Sequence, residues 1–256
     1  MLLGAQAQAV PLLDNYIGSN DNGWGDVIGS KALFDTQRAE VTRANGKLQI
    51  DIFTNFVGHV GVYSGHGLTL NAKGIGYGDL LLGGPWTPFV KSGDSSTANT
   101  EGHKFDNASN GTHWTYGLSL DDPWSTDPTG SFSLYELSGT NLENLILSEE
   151  LFKPGAIVRQ GQAVQVDRTS STVKKIGGGA WNANAGEKFL SFELDLDLAD
   201  ELATWEYLSL HWGMTCNNDA LEGGVELPPT LPEPATLSLL GLGLAGLMVP
   251  VRRRAR

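Results

Sequence analysis

Short segments in which apolar and polar residues alternate recur along most of this 256-residue chain. The clearest runs from Lys188 to Leu198 (KFLSFELDLDL), where every second residue is apolar over most of the segment. A period of two places one face of a β-strand against a core and the other face against solvent. The same reasoning predicts further strands at 78–82, 113–120, 131–137, 163–166 and 207–214.

Local signals also predict one hairpin and two short helices. Alternating segments at 40–43 and 47–53 flank Asn45-Gly46, a pair that accepts the positive φ angles of a type I′ turn. A helix is predicted at 141–151, with Asn141 as its N-cap, and another at 200–205. The Ser-, Thr- and Asn-rich segment 92–111 predicts a long surface loop.

Short strands separated by Gly, Asn, Asp and Ser are typical of a mainly β fold, here predicted as an antiparallel β-sandwich of jelly-roll-like form. The composition agrees, because 33 glycines and only 18% charged residues favour strands and turns over helices. A lone cysteine, Cys216, excludes an internal disulfide, so core packing or a bound metal must stabilise the domain. We predict one domain at 10–225, a linker at 226–231, and separate terminal segments at 1–9 and 232–256.

The N-terminal segment 1–9 (MLLGAQAQA) ends in the small-x-small pattern that precedes a signal-peptidase cut. It lacks a basic n-region and a full apolar stretch, both of which a complete signal peptide requires. We interpret it as the remnant of a signal peptide whose true start lies upstream. The alternative is a plain N-terminal extension.

The C-terminal segment has three parts in a fixed order. Pro232-Glu233-Pro234 comes first, an apolar run follows at 235–251, and the chain ends in a cluster that contains Arg252, Arg253 and Arg254. As a helix, the apolar run would extend about 26 Å, just enough to cross the hydrocarbon layer. The arginines would stay on the cytoplasmic side and fix the orientation. The sequence therefore predicts a single C-terminal transmembrane helix, either within a sorting signal or as an ordinary single-span tail anchor; the remaining alternative is a hydrophobic core helix.

This tripartite tail resembles the PEP-CTERM sorting signal of Gram-negative exosortase systems. The resemblance implies that an exosortase, a membrane protease, recognises Pro232, Glu233 and Pro234 and removes the tail. The precursor would be anchored transiently in the inner membrane through 235–251, and the body would then reach the cell surface or the extracellular space.

Net charge narrows the choice of partners for the body. The whole chain carries a formal charge of −12. Removal of the four tail arginines leaves 13 basic and 29 acidic residues, a charge of −16. Such a body repels nucleic acid and anionic lipid, so we expect no nucleic-acid partner. Cations and neutral polymers, including the extracellular polysaccharide of a biofilm, are the expected partners.

An acidic segment near the N-terminus is a candidate calcium site. Asp14, Asp21, Asn22 and Asp26 lie within 13 residues, and Asp219 follows the last predicted strand. Calcium takes six to eight hard oxygen ligands, which a Gly-punctuated acidic loop can supply. Because the first and last strands of a sandwich are often neighbours, Asp219 could reach the same ion. The alternative is an acidic turn closed by Asx hydrogen bonds.

A second, looser resemblance covers about 40 residues at the start of the body. Asp21-Asn22-Gly23 through Phe34-Asp35, followed by a hairpin, is similar to the opening of calcium-dependent carbohydrate-binding sandwiches of the glucodextranase C-terminal and DOMON type. In addition, the GDVIG segment at 25–29 and the HWGMTCNND segment at 211–219 resemble a recurring type of exosortase-dependent surface protein of unknown activity.

Trp86 and Trp124 lie beside prolines in predicted loops and are candidate glycan contacts, whereas Trp114 and Trp212 are predicted to be core. The five histidines show no paired metal spacing and are predicted as scattered surface residues. No nucleophile elbow, P-loop or dinucleotide fingerprint is present, so we predict no enzymatic activity. The expected function is an exported surface or matrix protein of structural or interaction type. The alternatives are a calcium-dependent carbohydrate-binding module and a secreted glycan-active hydrolase.

Overall fold

The computed structural model describes residues 9–18, 21–65, 67–92 and 103–227. The predicted transmembrane helix and sorting signal, most of the predicted linker, and nearly all of the N-terminal segment lie outside these ranges. Within the ranges, no helix combines the length and apolar character needed to cross a bilayer.

The described residues form twelve strands and three short α-helices. The strands are β1 Val10–Leu13, β2 Thr36–Ala44, β3 Lys47–Thr54, β4 Leu80–Gly83, β5 Tyr116–Leu120, β6 Thr129–Leu137, β7 Leu145–Leu147, β8 Ala163–Val166, β9 Val173–Asn184, β10 Phe189–Asp195, β11 Tyr207–Gly213 and β12 Ala220–Glu226. The helices are α1 Lys31–Phe34, α2 Asn141–Asn144 and α3 Asp200–Thr204.

Ten strands form one antiparallel sheet in the order β1-β2-β3-β10-β9-β6-β5-β4-β11-β12. The sheet curls until β1 and β12, at its opposite edges, pack against each other. A Cβ atom at Gly223 of β12 would lie only 2.8 Å from Leu12 Cδ1 of β1, which shows how close the two edges come. β7 and β8 form a separate two-stranded ribbon. The mainly antiparallel β prediction is confirmed, in a sandwich-like form that is nearly closed into a barrel.

The period-two pattern produces the core where β3 meets β10. Leu190 pairs with Ile52, Phe192 with Ile50 and Leu194 with Leu48, and all six side chains are buried. Burying a side chain of this size contributes about 1.5–3 kcal/mol. The predicted hairpin is also present: Ala44 pairs with Lys47, and Asn45 and Gly46 have φ angles of 53° and 73°.

The region predicted as one helix at 141–151 is instead divided between α2, β7 and a 3-10 turn at Ser148–Leu151. Its cap is Thr140, which forms a capping box with Glu143, so Asn141 is not the N-cap. The Asn141 amide instead donates to the carbonyls of Ala108 and Thr112. The isolated segment would be too short to form a stable helix, so tertiary contacts decide its structure.

β9, the longest strand, carries no period-two signal because it contains three consecutive glycines. Glycine is disfavoured in strands unless another backbone approaches closely. That condition holds here: a Cβ atom at Gly178 would lie 2.6 Å from the carbonyl oxygen of Phe132 in β6, and one at Gly179 would meet the carbonyl of Glu193 in β10. The glycines therefore allow β9 to pack closely against the backbones of both of its neighbours, β6 and β10.

Candidate functional site

Three carboxylates from distant parts of the chain converge at the edge where β1 ends and β12 begins. Asp14 follows β1, Asp26 lies in the loop before α1, and Asp219 immediately precedes β12. One oxygen from each lies within 4.8 Å of the others. We call Asp14, Asp26 and Asp219 the acidic triad.

Asp219 is the buried member of the triad, with no exposed surface. Its Oδ2 accepts the backbone N–H of Thr36 at 2.6 Å, and its Oδ1 accepts the N–H of Ala220 at 3.1 Å. The turn before it is set by Asn217, which has a φ of 47° and whose N–H donates to the carbonyl of Met214. The Asp219 carboxylate is thus held by backbone donors from β2 and β12.

The other two members sit on segments that are tied to the same edge. The Asp14 N–H donates to the carbonyl of Gln37, and its Oδ1 accepts the N–H of Tyr16 at 3.1 Å, while its buried Oδ2 has no hydrogen-bond partner among the residues that the structure describes. The loop that carries Asp26 is held by Arg159, whose guanidinium donates to the carbonyls of Gly25 and Asp26. An orphaned buried carboxylate oxygen is costly unless something neutralises it.

Electrostatics at the triad favour a cation. Burial, and then the charges of Asp219 and Asp26, raise the pKa of Asp14 well above its ordinary value. Burial and the charge of Asp26 do the same for the pKa of Asp219, and burial raises that of Asp26. The charged groups that act on the triad include one further carboxylate, Asp35, and two cations, Lys31 and Arg159. When all of these groups are ionised, four negative charges face two positive ones.

These oxygens fit calcium. Two oxygens bound to one calcium ion at about 2.4 Å can lie at most about 4.8 Å apart, which the triad satisfies. The donor set is carboxylate alone, and this favours a hard divalent cation over zinc or copper. Asn218, the residue before Asp219, has a buried Oδ1 without a hydrogen-bond partner in the described part of the chain.

Asp21 and Asn22 have other roles in the structure. The Asp21 carboxylate accepts the N–H groups of Gly23 and Gly25 at 2.9 and 3.2 Å, which is an Asx-type closure of the loop. The Asn22 amide donates to the carbonyl of Val158 at 3.3 Å. Asp21 is not among the carboxylates that lie within 4.8 Å of one another. These two residues shape the loop that delivers Asp26.

Trp86, one of the two predicted glycan contacts, is anchored in a second polar cluster. Its indole N–H donates to Glu222 Oε1 at 3.0 Å, and its ring meets His103 edge-on at 4.8 Å between centroids. Glu222 Oε2 bonds His211 Nδ1 at 2.8 Å, and His211 Nε2 bonds the carbonyl of Ala163 at 2.8 Å. The indole N–H of Trp86 is thus occupied by an internal partner.

The same cluster brings Asp106 and Glu222 together, and the charge of Glu222 acts on the Asp106 carboxyl group. Asp106 is 1% exposed and accepts from the Tyr16 hydroxyl at 2.8 Å and from the Phe89 N–H at 2.7 Å. Burial, and then the charge of Glu222, raise the pKa of Asp106 to about 7.

Sequence reasoning missed this cluster. His211 was predicted on the surface but is buried in β11, and Asp106 belongs to the segment predicted as a surface loop. The surface prediction is therefore wrong for His211 and for the described part of that segment around Asp106 and Ala108. The alternation in β11 places His211 on the polar face with Tyr207 and Ser209. Nothing local shows that β8 covers this face, where His211 contacts the Ala163 carbonyl, or that Glu222 is its partner.

The raised pKa of Asp106 predicts a pH dependence of folding stability. Because the folded-state pKa of Asp106 is about 7 and the unfolded one is about 4, the folded state retains a proton that the unfolded state loses. The stabilisation is complete below about pH 4 and disappears as the pH rises to about 7. We expect the free energy of unfolding to fall by about 1–3 kcal/mol more in wild type than in Asp106→Asn between pH 5 and pH 8.

Urea unfolding at each pH measures this difference, and the comparison with Asp106→Asn removes the contributions of the other titrating groups. Asp127→Asn, at an exposed carboxylate, should keep the wild-type pH dependence. Parallel pH profiles for wild type and Asp106→Asn would show that Asp106 retains no proton in the folded state over this pH range.

Trp124, the other predicted glycan contact, lines a cavity of about 270 Å³. Its indole N–H donates to the carbonyl of Gly74 at 3.0 Å, which fixes the orientation of the ring. Asp121 and Arg168 also line this cavity.

Cys216 is buried, and this burial raises the pKa of its thiol to about 12, so the thiol is protonated at neutral pH.

Comparison with known families identifies the C-terminal segment. The PEP-CTERM protein-sorting motif matches residues 230–254. No curated protein and no solved structure matches the chain. The motif implies processing by an exosortase and export to the cell surface of a Gram-negative bacterium. The resemblance of the body to glucodextranase C-terminal and DOMON-type sandwiches stays a prediction.

Proposed function

We propose that this PEP-CTERM protein is delivered to the cell surface as a calcium-stabilised, non-enzymatic module that associates with extracellular polysaccharide. In this proposal the apolar run 235–251 anchors the precursor in the inner membrane, with Arg252, Arg253 and Arg254 on the cytoplasmic side. An exosortase then cleaves near Pro232-Glu233-Pro234 and releases the acidic body. The motif match over 230–254 supports the sorting step.

The observation that carries the role of the body is the convergence of the acidic triad, with the orphaned Asp14 Oδ2 inside it. A calcium ion there would neutralise carboxylates that burial otherwise destabilises. It would also join three segments: the end of β1, the loop before α1 and the start of β12. β1 and β12 are the two edge strands of the sheet and pack against each other. The ion would therefore stabilise the contact between these two edges.

Isothermal titration calorimetry of the body at pH 7 tests this proposal. We expect one calcium ion per chain, with magnesium binding much more weakly, because magnesium demands a regular octahedral shell and retains its water. Asp26→Asn should abolish the heat of calcium binding, whereas Asp127→Asn should leave it unchanged. A flat calcium titration of the wild-type protein would overturn the proposal.

A further inference from the structure

The cavity beside Trp124 lies between the ribbon β7–β8 and the main sheet near β5. Its lining combines apolar side chains, those of Pro123, Trp124 and Ile146, with polar ones, those of Asp121, Gln165 and Arg168. None of these residues belongs to the acidic triad. An amphipathic lining of this kind matches a ligand with one apolar face and polar groups at its edge.

The side chain of Trp124 is held in a fixed orientation. Its indole N–H is used by Gly74, and its backbone N–H donates to Asp122 Oδ1 at 3.1 Å. The ammonium group of Lys73 lies 5.1 Å from the centre of the ring. Since the indole N–H already has a partner, what the ring offers a ligand is its apolar surface, which suits the C–H face of a pyranose.

Arg168 is positioned by hydrogen bonds to the buried Ser119, which is itself bonded to Asp79. Arg168 donates to Ser119 Oγ from Nε at 3.0 Å and from Nη2 at 2.8 Å. Ser119 in turn donates to Asp79 Oδ2 at 2.6 Å, and the buried Asp79 also accepts the N–H groups of Leu120 and Val166. The Arg168 guanidinium therefore has a fixed position in the lining of the cavity.

The Asp121 carboxylate is also held in place by hydrogen bonds. Asp121 accepts the hydroxyl groups of Ser131 and Ser133 in β6. Its acceptor oxygens thus share the cavity wall with the donors of Arg168, and the Gln165 amide supplies both a donor and an acceptor. A donor next to an acceptor is the arrangement that recognises neighbouring hydroxyl groups, each of which both donates and accepts.

We propose that this cavity binds one neutral pyranose residue of a polysaccharide, with the sugar face on Trp124 and its hydroxyl groups bonded by Asp121, Gln165 and Arg168. The site rests on the proposed association with extracellular polysaccharide and gives it a location. The volume, about 270 Å³, is slightly below the usual range of ligand pockets, ~300–1,000 Å³, and suits a single ring. Asp79, Asp121 and Asp167 line the cavity together with Arg168, and Lys73 lies beside Trp124, so we expect a neutral sugar to bind better than an acidic one.

Affinity electrophoresis tests this site with three probes: a soluble neutral glucan, a galactomannan and an anionic polyuronate. We expect the wild-type protein to be retarded by at least one neutral polymer and not by the polyuronate. Trp124→Ala should weaken that binding about tenfold, the loss expected when an aromatic contact is removed. Trp24→Ala is the matched control, because Trp24 is 55% exposed and lies outside the cavity.

A second variant guards against a folding defect in Trp124→Ala. Asp121→Asn keeps the size of the side chain and replaces one acceptor by a donor, so it should weaken binding several-fold at an unchanged melting temperature. If neither neutral polymer retards the protein, both the proposed sugar site and the proposed association with polysaccharide are wrong. Calcium binding is tested separately by calorimetry. If binding survives in Trp124→Ala and Asp121→Asn, only the location is wrong and the association stands.

Discussion

Calcium at pH 7 is expected to raise the melting temperature of the body by about 5–10 °C when its free concentration is ~100 times the dissociation constant. In our proposal the ion binds the folded triad and has no comparable site in the unfolded chain, so the folded state would gain the binding free energy. Differential scanning calorimetry with calcium, and separately with a chelator, measures the shift.

Asp26→Asn gives this experiment its sharpest form, because the change should act in opposite directions in the two conditions. In chelator, the variant loses one of the mutually repelling carboxylates, so its melting temperature should lie above that of wild type. In calcium, it lacks a ligand, so the shift should largely disappear. Asp127→Asn should match wild type in both conditions. A calcium shift that persists in Asp26→Asn would place the ion elsewhere.

Protons should compete with the ion. Burial raises the pKa values of Asp14 and Asp219 well above their ordinary values. A raised folded-state pKa contributes stability that is complete below the unfolded-state pKa, about 4, and is lost as the pH rises through the folded-state pKa. The calcium-free protein should therefore melt at a higher temperature at pH 5 than at pH 7, and the calcium shift should be smaller at pH 5.

Replacing Pro232, Glu233 and Pro234 together by alanine is expected to block maturation almost completely. The apolar run and the arginines would remain, so the precursor would still stop in the inner membrane, but the protease would lack its recognition sequence. Membrane fractionation followed by intact-mass measurement should find a membrane-bound product that is heavier than the wild-type surface form by the mass of the tail.

Pro228→Ala/Pro229→Ala is the matched control for this experiment. It also removes two prolines, but at positions that lie outside the matched residues 230–254, so normal maturation is expected. If the triple alanine variant matures like wild type, these three residues are not the recognition sequence. If the wild-type surface form retains its tail, processing itself is excluded.

The parts of the fold that the sequence predicted are those with a local cause. β10 follows from its alternation, and the β2–β3 hairpin follows from Asn45-Gly46. β9 was missed because its glycines are explained only by the backbones of β6 and β10 on either side. Short-range signals also failed at 141–151, where packing divides one predicted helix into three elements.

The candidate sites show the same division. The convergence of Asp14 and Asp219, which are distant in sequence, followed from the tendency of first and last strands to be neighbours, whereas the roles of Asp21 and Asn22 depend on hydrogen bonds within their loop. The Asp106–Glu222 pair joins residues more than a hundred positions apart with no shared motif, so only the tertiary structure reveals it. The cavity beside Trp124 likewise depends on where the β7–β8 ribbon lies.

The direction of β12 separates the acidic triad from the segment that leads to the sorting motif. The strand starts beside Asp219 and ends at Glu226, and the Leu227 N–H still donates to the carbonyl of Glu206. Seven residues of strand extend about 23 Å, so the acidic triad and the point where the chain leaves the strand lie at opposite ends of β12. Removal of the tail would therefore detach no ligand of the proposed calcium site.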